Sequence, residues 1–348
     1  MKKIMVAMSG GVDSSVTAYL LKEQGYDCIG CTMKLYNQDL STCCALSDVE
    51  DARSVANRLG MDYYVLNYQE DFDKYVIQNF VECYENGRTP NPCIECNKHL
   101  KFDKLLQNAQ AMGFDGIATG HYAQIVFEDN EYKLKKAADL SKDQSYVLYS
   151  LTQEQLSRVL FPLGGMTKPE VRAVAEREGF INARKHDSQD ICFVPDGDYA
   201  GMIERYSGRT FKEGNFIDMD GHVLGRHKGV IHYTIGQRRG LGIPAADRLY
   251  VVRLDLENNT VILGSNDDLF SDTVHIKDFH WLSNNDIPVT FDCQAKIRYK
   301  HIEQPATVYY EGNGTATIKF KEKQRAITPG QTAVLYNEDY VLGGGVII

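Results

Sequence analysis

Ser9-Gly10-Gly11-Val12-Asp13-Ser14-Ser15 joins a short apolar run, Ile4 to Met8, to a stretch with helical spacing from Ser14 to Gln24 that closes at Gly25. Paired glycines let a backbone turn tightly and approach an anion. The helix behind them offers unpaired N–H groups and a positive dipole end. A plainer reading exists: a glycine turn with Ser or Asp as the helix cap. The position after the first strand-like run of an alternating pattern favours phosphate. No Gly-Lys-Ser/Thr follows, so this is not a Walker A loop, and the lysine that holds terminal phosphates there is missing. Such a loop suits an enzyme that adenylates a substrate and releases pyrophosphate.

Outward from the loop, strand and helix patterns alternate. Asp27 to Met33 reads as a strand, Asp48 to Leu59 as a helix closed by Gly60, and Tyr63 to Leu66 as a third strand. Helical stretches near 70–85 and 98–112 lead to a strand at Gly116 to Thr119. This alternation predicts an α/β fold, a parallel sheet with helices on both faces. Ligands of such sheets sit at the carboxyl ends of the strands, so the loops after Met8, Met33 and Thr119 matter most. Thr167-Lys168-Pro169-Glu170 is a capping box with Pro in the first turn, starting a helix to about Glu178. Beyond about residue 210 the chain turns to strands. Asp220-Gly221, Asn258-Asn259 and Asn313-Gly314 are hairpin-type turns between alternating runs such as Ala306 to Tyr310 and Thr315 to Phe320. The expected division is a catalytic domain over 1–200, a small central domain over 201–270 and a C-terminal β-barrel over 271–348.

At 348 residues the chain is long enough for two or three domains. Its 43% hydrophobic and 24% charged residues exclude disorder, collagen and coiled coil. No apolar run approaches the roughly 18 residues of a membrane span, and the apolar start is too short for a signal peptide, so a cytoplasmic protein is expected. The net charge of -9 argues against a nucleic-acid partner. Two stretches are locally basic, however: Arg226, Lys228, Arg238 and Arg239, then Lys296, Arg298 and Lys300. A local patch can bind phosphates whatever the global charge, although solvated faces read the same way.

The nine cysteines form no secretory disulfide framework, so reduced thiols are expected. Thr89-Pro90-Asn91-Pro92-Cys93-Ile94-Glu95-Cys96-Asn97-Lys98 places two of them in a proline-stiffened loop before a helix. A helix dipole favours a thiolate at its N-terminus, which makes Cys96 a candidate nucleophile. Cys192 stands in His186-Asp187-Ser188-Gln189-Asp190-Ile191-Cys192-Phe193-Val194-Pro195, a polar segment with no core periodicity. The bland role of a small buried hydrophobe suits Cys28, Cys31, Cys83 and Cys293, but suits Cys93, Cys96 and Cys192 poorly. Cys43 and Cys44, in an insertion after the second strand, read as either redox-active or incidental.

The loop resembles the SGGxDS hallmark of the PP-loop (N-type) ATP pyrophosphatases, a superfamily that includes GMP, NAD and asparagine synthetases and tRNA-thiolating enzymes. The whole chain resembles the bacterial tRNA-specific 2-thiouridylases within it. SGGVDSS, TPNPCIECNKHLKF, ATGHYA, KDQSYVLYSL, HDSQDICF, IGQRRGLG, AKIRY and TPGQTAVLY occur in family order between residues 9 and 336. The resemblance implies a Rossmann-like PP-loop domain, a small central domain and a C-terminal β-barrel. It also implies ATP-dependent replacement of the C2 oxygen of the wobble uridine by sulfur, in tRNAs for Lys, Glu and Gln, by a monomer supplied by a sulfur-donor protein.

By the same resemblance, Ala7, Met8, Ser9, Gly10, Gly11, Val12, Asp13 and Ser14, with Met33 and Gly120, cradle ATP, and Asp13 lies near the magnesium-bound pyrophosphate. Cys192 carries sulfur as a persulfide, and Cys96 releases it, leaving a Cys96–Cys192 disulfide. Asn91, Pro92 and Cys93 lie beside the target base. His121, Lys142, Asp143, Gln144, Arg298, Tyr299 and Gln331 contact the tRNA. Taken alone, these have duller readings: a structural histidine, a solvated helix start, an ordinary strand. Cys93 stands where many family members carry Asp. Cys93, Cys96 and Cys192 are therefore equally candidate ligands of a [4Fe–4S] cluster with one iron open to sulfide. Zinc fits less well because its structural sites want a fourth protein ligand.

Overall fold

A computed structural model describes residues 1–36, 46–185, 191–245 and 247–348. Cys43, Cys44 and His186 to Asp190 of the HDSQDICF motif lie outside the described residues.

The first sheet has β1 (Lys3–Ala7), β2 (Asp27–Lys34), β3 (Tyr63–Asn67), β4 (Gly116–Ala118) and, after a hairpin of β5 (Gln124–Glu128) and β6 (Glu131–Lys135), β7 (Val159–Leu160). Its order is β3-β2-β1-β4-β7, and every pairing is parallel. β1 lies at the centre with Ile4, Met5 and Val6 buried, so neighbouring strands and helices cover both of its faces. α1 (Val12–Glu23) and α2 (Leu46–Arg58) follow β1 and β2. The order reverses at β1, between β2 and β4, and the loop after β1 therefore opens at the crevice where such sheets bind ligands. The helix Lys168–Arg177 carries the expected capping box, with the Thr167 N–H and hydroxyl donating to the Glu170 carboxylate at 2.7 and 2.8 Å.

A second sheet combines β8 (Gly214–Ile217), β9 (Val223–His227), β10 (Tyr250–Asp255) and β11 (Thr260–Gly264) in the order β10-β11-β8-β9. The remaining strands are β12 (Phe270–Trp281), β13 (Thr290–Lys296), β14 (Gln304–Gly312), β15 (Thr315–Arg325), β16 (Thr332–Asn337) and β17 (Tyr340–Ile347). They run β12-β15-β14-β13-β16-β17, and a β12–β17 pairing closes them into a six-stranded barrel. Closure removes the sheet edges. Val274, Ile276, Val308, Ile318 and Leu335 fill the interior.

The β5–β6 hairpin was not foreseen. Asp129 and Asn130 both take positive φ, 52° and 64°, as a tight two-residue hairpin requires. The hairpin leaves the first domain and extends the barrel sheet through Lys135, which pairs with Tyr340. Further bonds fasten the barrel to the first domain. The Tyr146 hydroxyl donates to the Thr332 carbonyl at 2.7 Å, and the Gln331 amide donates to the Thr89 carbonyl at 2.7 Å. The Thr89 N–H in turn donates to the Pro329 carbonyl at 2.8 Å. Tyr146 is fully buried. Tyr146→Phe therefore leaves a buried carbonyl short of a partner and is expected to lower stability by about 1–2 kcal/mol, read as a shifted denaturant midpoint at unchanged m-value.

Candidate active site

Backbone and side-chain bonds shape the loop after β1. The Met8 N–H donates to the Cys31 carbonyl at 2.8 Å, and the Met8 carbonyl accepts from the Thr32 hydroxyl at 2.5 Å. Ser14 Oγ accepts from the Ser9 N–H at 3.2 Å and donates to the Gly11 carbonyl at 3.0 Å, folding the loop over the start of α1. Gly10 has φ +76°, and a Cβ there would stand 2.2 Å from the Asp48 carbonyl oxygen, so only glycine fits. Gly11 is the N-cap and makes no side-chain cap bond, which leaves first-turn N–H groups of α1 to meet an anion. Gly120 packs against the Asp13–Ser14 backbone, where a Cβ would approach to 2.9 Å. Ala7 to Ser14 and Gly120 thus share one place, with Met33 near the carboxyl end of adjacent β2.

Asp13 is held from two sides. The Lys168 ammonium lies 2.7 and 2.8 Å from its two oxygens, and the Tyr122 hydroxyl donates to Oδ1 at 2.8 Å. Asn182 donates to the Gly10 carbonyl at 2.9 Å, and Lys185 to Gly10 at 3.3 Å, to Asp48 at 2.5 Å and to Asp51 at 2.7 Å. Sequence reading missed all four of these partners. In the sequence Lys168 shows only as part of a cap, and its burial beside Asp13 comes from packing.

The two-cysteine segment is helical. Asn91 caps it by accepting the Cys93 N–H at 3.2 Å, Pro92 takes the first helical position, and Pro92–Glu95 runs on through a π-helix, Cys96–Lys104. Cys93 is exposed and Cys96 buried. Burial pushes the Cys96 thiol above its usual range and nearby Cys93 adds to this, against a smaller opposing effect of Lys101. This corrects the expectation of a dipole-favoured thiolate at Cys96. That residue lies beyond the first turn, where desolvation outweighs the dipole, and Cys93 is the thiol in the first turn. Cys192 is half-buried; its carbonyl accepts from the Tyr36 hydroxyl at 3.3 Å, and Phe193 beside it packs on Phe72 and Phe80.

Among the described residues, one group of three potential ligands lies within 4.8 Å of one another: Asp218, Asp220 and His222, in the turn after β8. Cys93, Cys96 and Cys192 form no such group. A single zinc ion at about 2.3 Å from each sulfur would need them that close.

Of the residues expected at tRNA, Tyr299 and Gln331 bond across from the barrel to the first domain. His121 is buried between Phe102 and Phe161, with Nδ1 2.6 Å from the Thr119 hydroxyl. Asp143 accepts from the Ala137 and Ser145 N–H groups and the Ser145 hydroxyl. Gln144 accepts the Tyr122 N–H at 2.9 Å. Lys142 is partly exposed at the start of this turn. Arg298 donates to the Ala326 carbonyl, and Tyr299 to the Asp143 carbonyl at 3.2 Å. Burial raises the Tyr299 hydroxyl, with Asp143 and Cys93 adding to it. The structure thus gives Asp143, Gln144, Arg298 and Gln331 protein partners.

Two outcomes follow. Mapping of alkylated peptides at pH 8 should find Cys93 modified well before Cys96, because Cys96 is both covered and held protonated. Desolvation lowers the His121 ring well below 6.5, so the unfolded chain binds a proton that the folded one refuses. Stability is then full above pH 6.5 and lost as pH falls below it, by up to ~1.4 kcal/mol per pH unit for this ring. His121→Asn should flatten that slope by one proton in denaturant titrations at stepped pH.

The chain matches three family models: one described as tRNA methyl transferase HUP domain over residues 2–196, one as tRNA methyl transferase PRC-barrel domain over 201–265, and one as Aminomethyltransferase beta-barrel domain over 271–347. The tRNA-specific 2-thiouridylase MnmA of Clostridioides difficile strain 630 is 49% identical over 353 residues, covering 99% of this chain and 98% of that protein. Its counterpart from Acetivibrio thermocellus is 50% identical over 355 residues, covering 99% of each. With identity of this order along essentially the whole length, the chain belongs to the tRNA-specific 2-thiouridylase family.

Proposed function

We propose that this protein is an ATP-dependent tRNA-uridine 2-sulfurtransferase that thiolates the wobble uridine of tRNAs for Lys, Glu and Gln. It works in the cytoplasm as a monomer and receives sulfur from a donor protein. The observation that carries the reading is the loop after β1, with its uncapped helix start and its glycine pressed on Asp48. ATP binds there through the backbone of Ala7 to Ser14 and beside Met33 and Gly120. A magnesium ion, held near Asp13, supplies charge neutralisation for the pyrophosphate.

The chemistry divides between two activations. Uridine O2 is a poor leaving group, and its attack on the α-phosphate of ATP expels pyrophosphate and makes the oxygen part of AMP. The base leaves its stack to be reached, and Asn91, Pro92 and Cys93 flank it at the capped helix start. The terminal sulfur of a Cys192 persulfide then attacks C2, and AMP departs. Cys96, deprotonated at that moment, attacks the Cys192 sulfur. The S–S bond to the uridine sulfur breaks, its electron pair stays on the uridine as the thione, and a Cys96–Cys192 disulfide remains for an external dithiol to reduce. Lys142, Tyr299 and the basic residues around Lys296 line the tRNA side, with Asp143, Gln144, Arg298 and Gln331 bracing it and His121 packed beneath.

A second reading is favoured by one specific observation. Cys93 is exposed in the first turn of the same helix as Cys96, and that donor pair, with Cys192, is chemically suited to a [4Fe–4S] cluster. The cluster would deliver sulfide to C2 in place of the persulfide. Mass spectrometry of unmodified tRNA treated with ATP and a sulfur source separates the two. Metal-free protein should form 2-thiouridine, and Cys93→Asp should retain the activity while Cys96→Ser and Cys192→Ser lose it. Product only from iron-loaded protein would establish the cluster route, and no 2-thiouridine from either preparation would sink the proposal.

A further inference from the structure

The loop after β1 has no lysine of its own, yet the structure brings one to it. Lys168 opens the helix Lys168–Arg177, and its side chain is only 9% exposed. Its backbone N–H donates to Asp139 Oδ2 at 3.1 Å, which fixes the helix start. The side chain reaches back past the Tyr122 ring, 5.8 Å from its centroid, to both oxygens of Asp13 in the first turn of α1. This placement runs against two ordinary preferences. A cation in the first turn of a helix opposes the macrodipole, and burying lysine costs desolvation and side-chain freedom. A simple fastening of two helices needs neither.

Asp13 is the other half of the argument. A carboxylate at an anion-binding helix start repels phosphate, and Lys168 cancels that charge while the site holds no nucleotide. A divalent cation drawing on Asp13 would leave the ammonium beside the same first turn of α1. We infer that Lys168 is the phosphate-gripping cation of this enzyme, delivered from a helix 155 positions downstream of Asp13 and stabilising the pyrophosphate leaving group of the adenylation step. The inference rests on the adenylation reading above. Lys168 acts on the β- and γ-phosphates and leaves the AMP portion alone.

The test uses calorimetric binding of AMP, ATP and magnesium pyrophosphate to the full chain, alongside tRNA-dependent pyrophosphate release from ATP and the unfolding midpoint. Lys168→Met should weaken ATP and pyrophosphate by about tenfold or more, the scale of one charged hydrogen bond, while AMP affinity stays within about twofold. Lys168→Arg should recover part of that loss. Since Lys168→Met leaves Asp13 uncompensated, the deciding comparison is Asp13→Asn with Asp13→Asn/Lys168→Met, where neither chain carries an unpaired carboxylate. A further loss of pyrophosphate affinity in the double variant supports the assignment. Equal pyrophosphate affinity in the two, or parallel loss of AMP and ATP in Lys168→Met, reduces Lys168 to a structural partner of Asp13 and overturns it. Wild-type protein that binds pyrophosphate but releases none from ATP in the presence of tRNA would instead refute the adenylation reading beneath it.

Discussion

The absence of a side chain at Gly10 is the constraint on which the rest of the nucleotide site depends. The Asp48 carbonyl, near the start of α2, occupies the space of a Cβ, so α2 can press directly on the loop. That contact brings Asp48 and Asp51 to Lys185, and Lys185 with Asn182 returns to the Gly10 carbonyl. A methyl group there would force apart the loop, α2 and the 182–185 turn together. The loop is pinned because three separated parts of the chain meet at one residue, Gly10, which is how a site on a turn reaches the precision of one on a strand.

The cysteine end is braced from elsewhere. Asn91 and Pro92 define the start of the helix, and the barrel grips Thr89, two residues before Asn91, through Gln331 and Pro329. The barrel is in turn fixed through Tyr146 on Thr332 and Tyr299 on Asp143. The third domain therefore positions the thiol-bearing helix whether or not it also touches nucleic acid. Lys296, set between the Tyr146 and Tyr299 rings and lowered by burial, belongs to the same seam.

Much of this was legible in the sequence because local chemistry agreed with the fold. The glycines after β1, the capping box at Thr167 and the turn residues near Asn313 each specify their structure within a few positions. What was not legible was non-local. Nothing near Lys168 announces that its ammonium lies beside Asp13, and nothing near Asp129 announces that its hairpin joins a barrel that begins at Phe270. Cys96 failed differently. Its distance from the helix start was readable, but its burial came from packing and reversed the direction of its thiol shift.

That reversal suits the order of the proposed chemistry. Cys96 acts last there, on a persulfide already joined to the uridine. A thiolate exposed from the outset would attack the Cys192 persulfide at once, form the disulfide early and lose the sulfur to solvent. A thiol kept protonated by burial is a poor nucleophile until a base or a change of surroundings draws the proton away. Cys93, three residues earlier and exposed, has no such protection, which fits a residue beside the base better than one that must wait. Within that proposed scheme, the dipole that would activate a thiol at the first turn and the desolvation that silences one just beyond it would give two cysteines of one helix different roles, the second holding the terminal step in reserve.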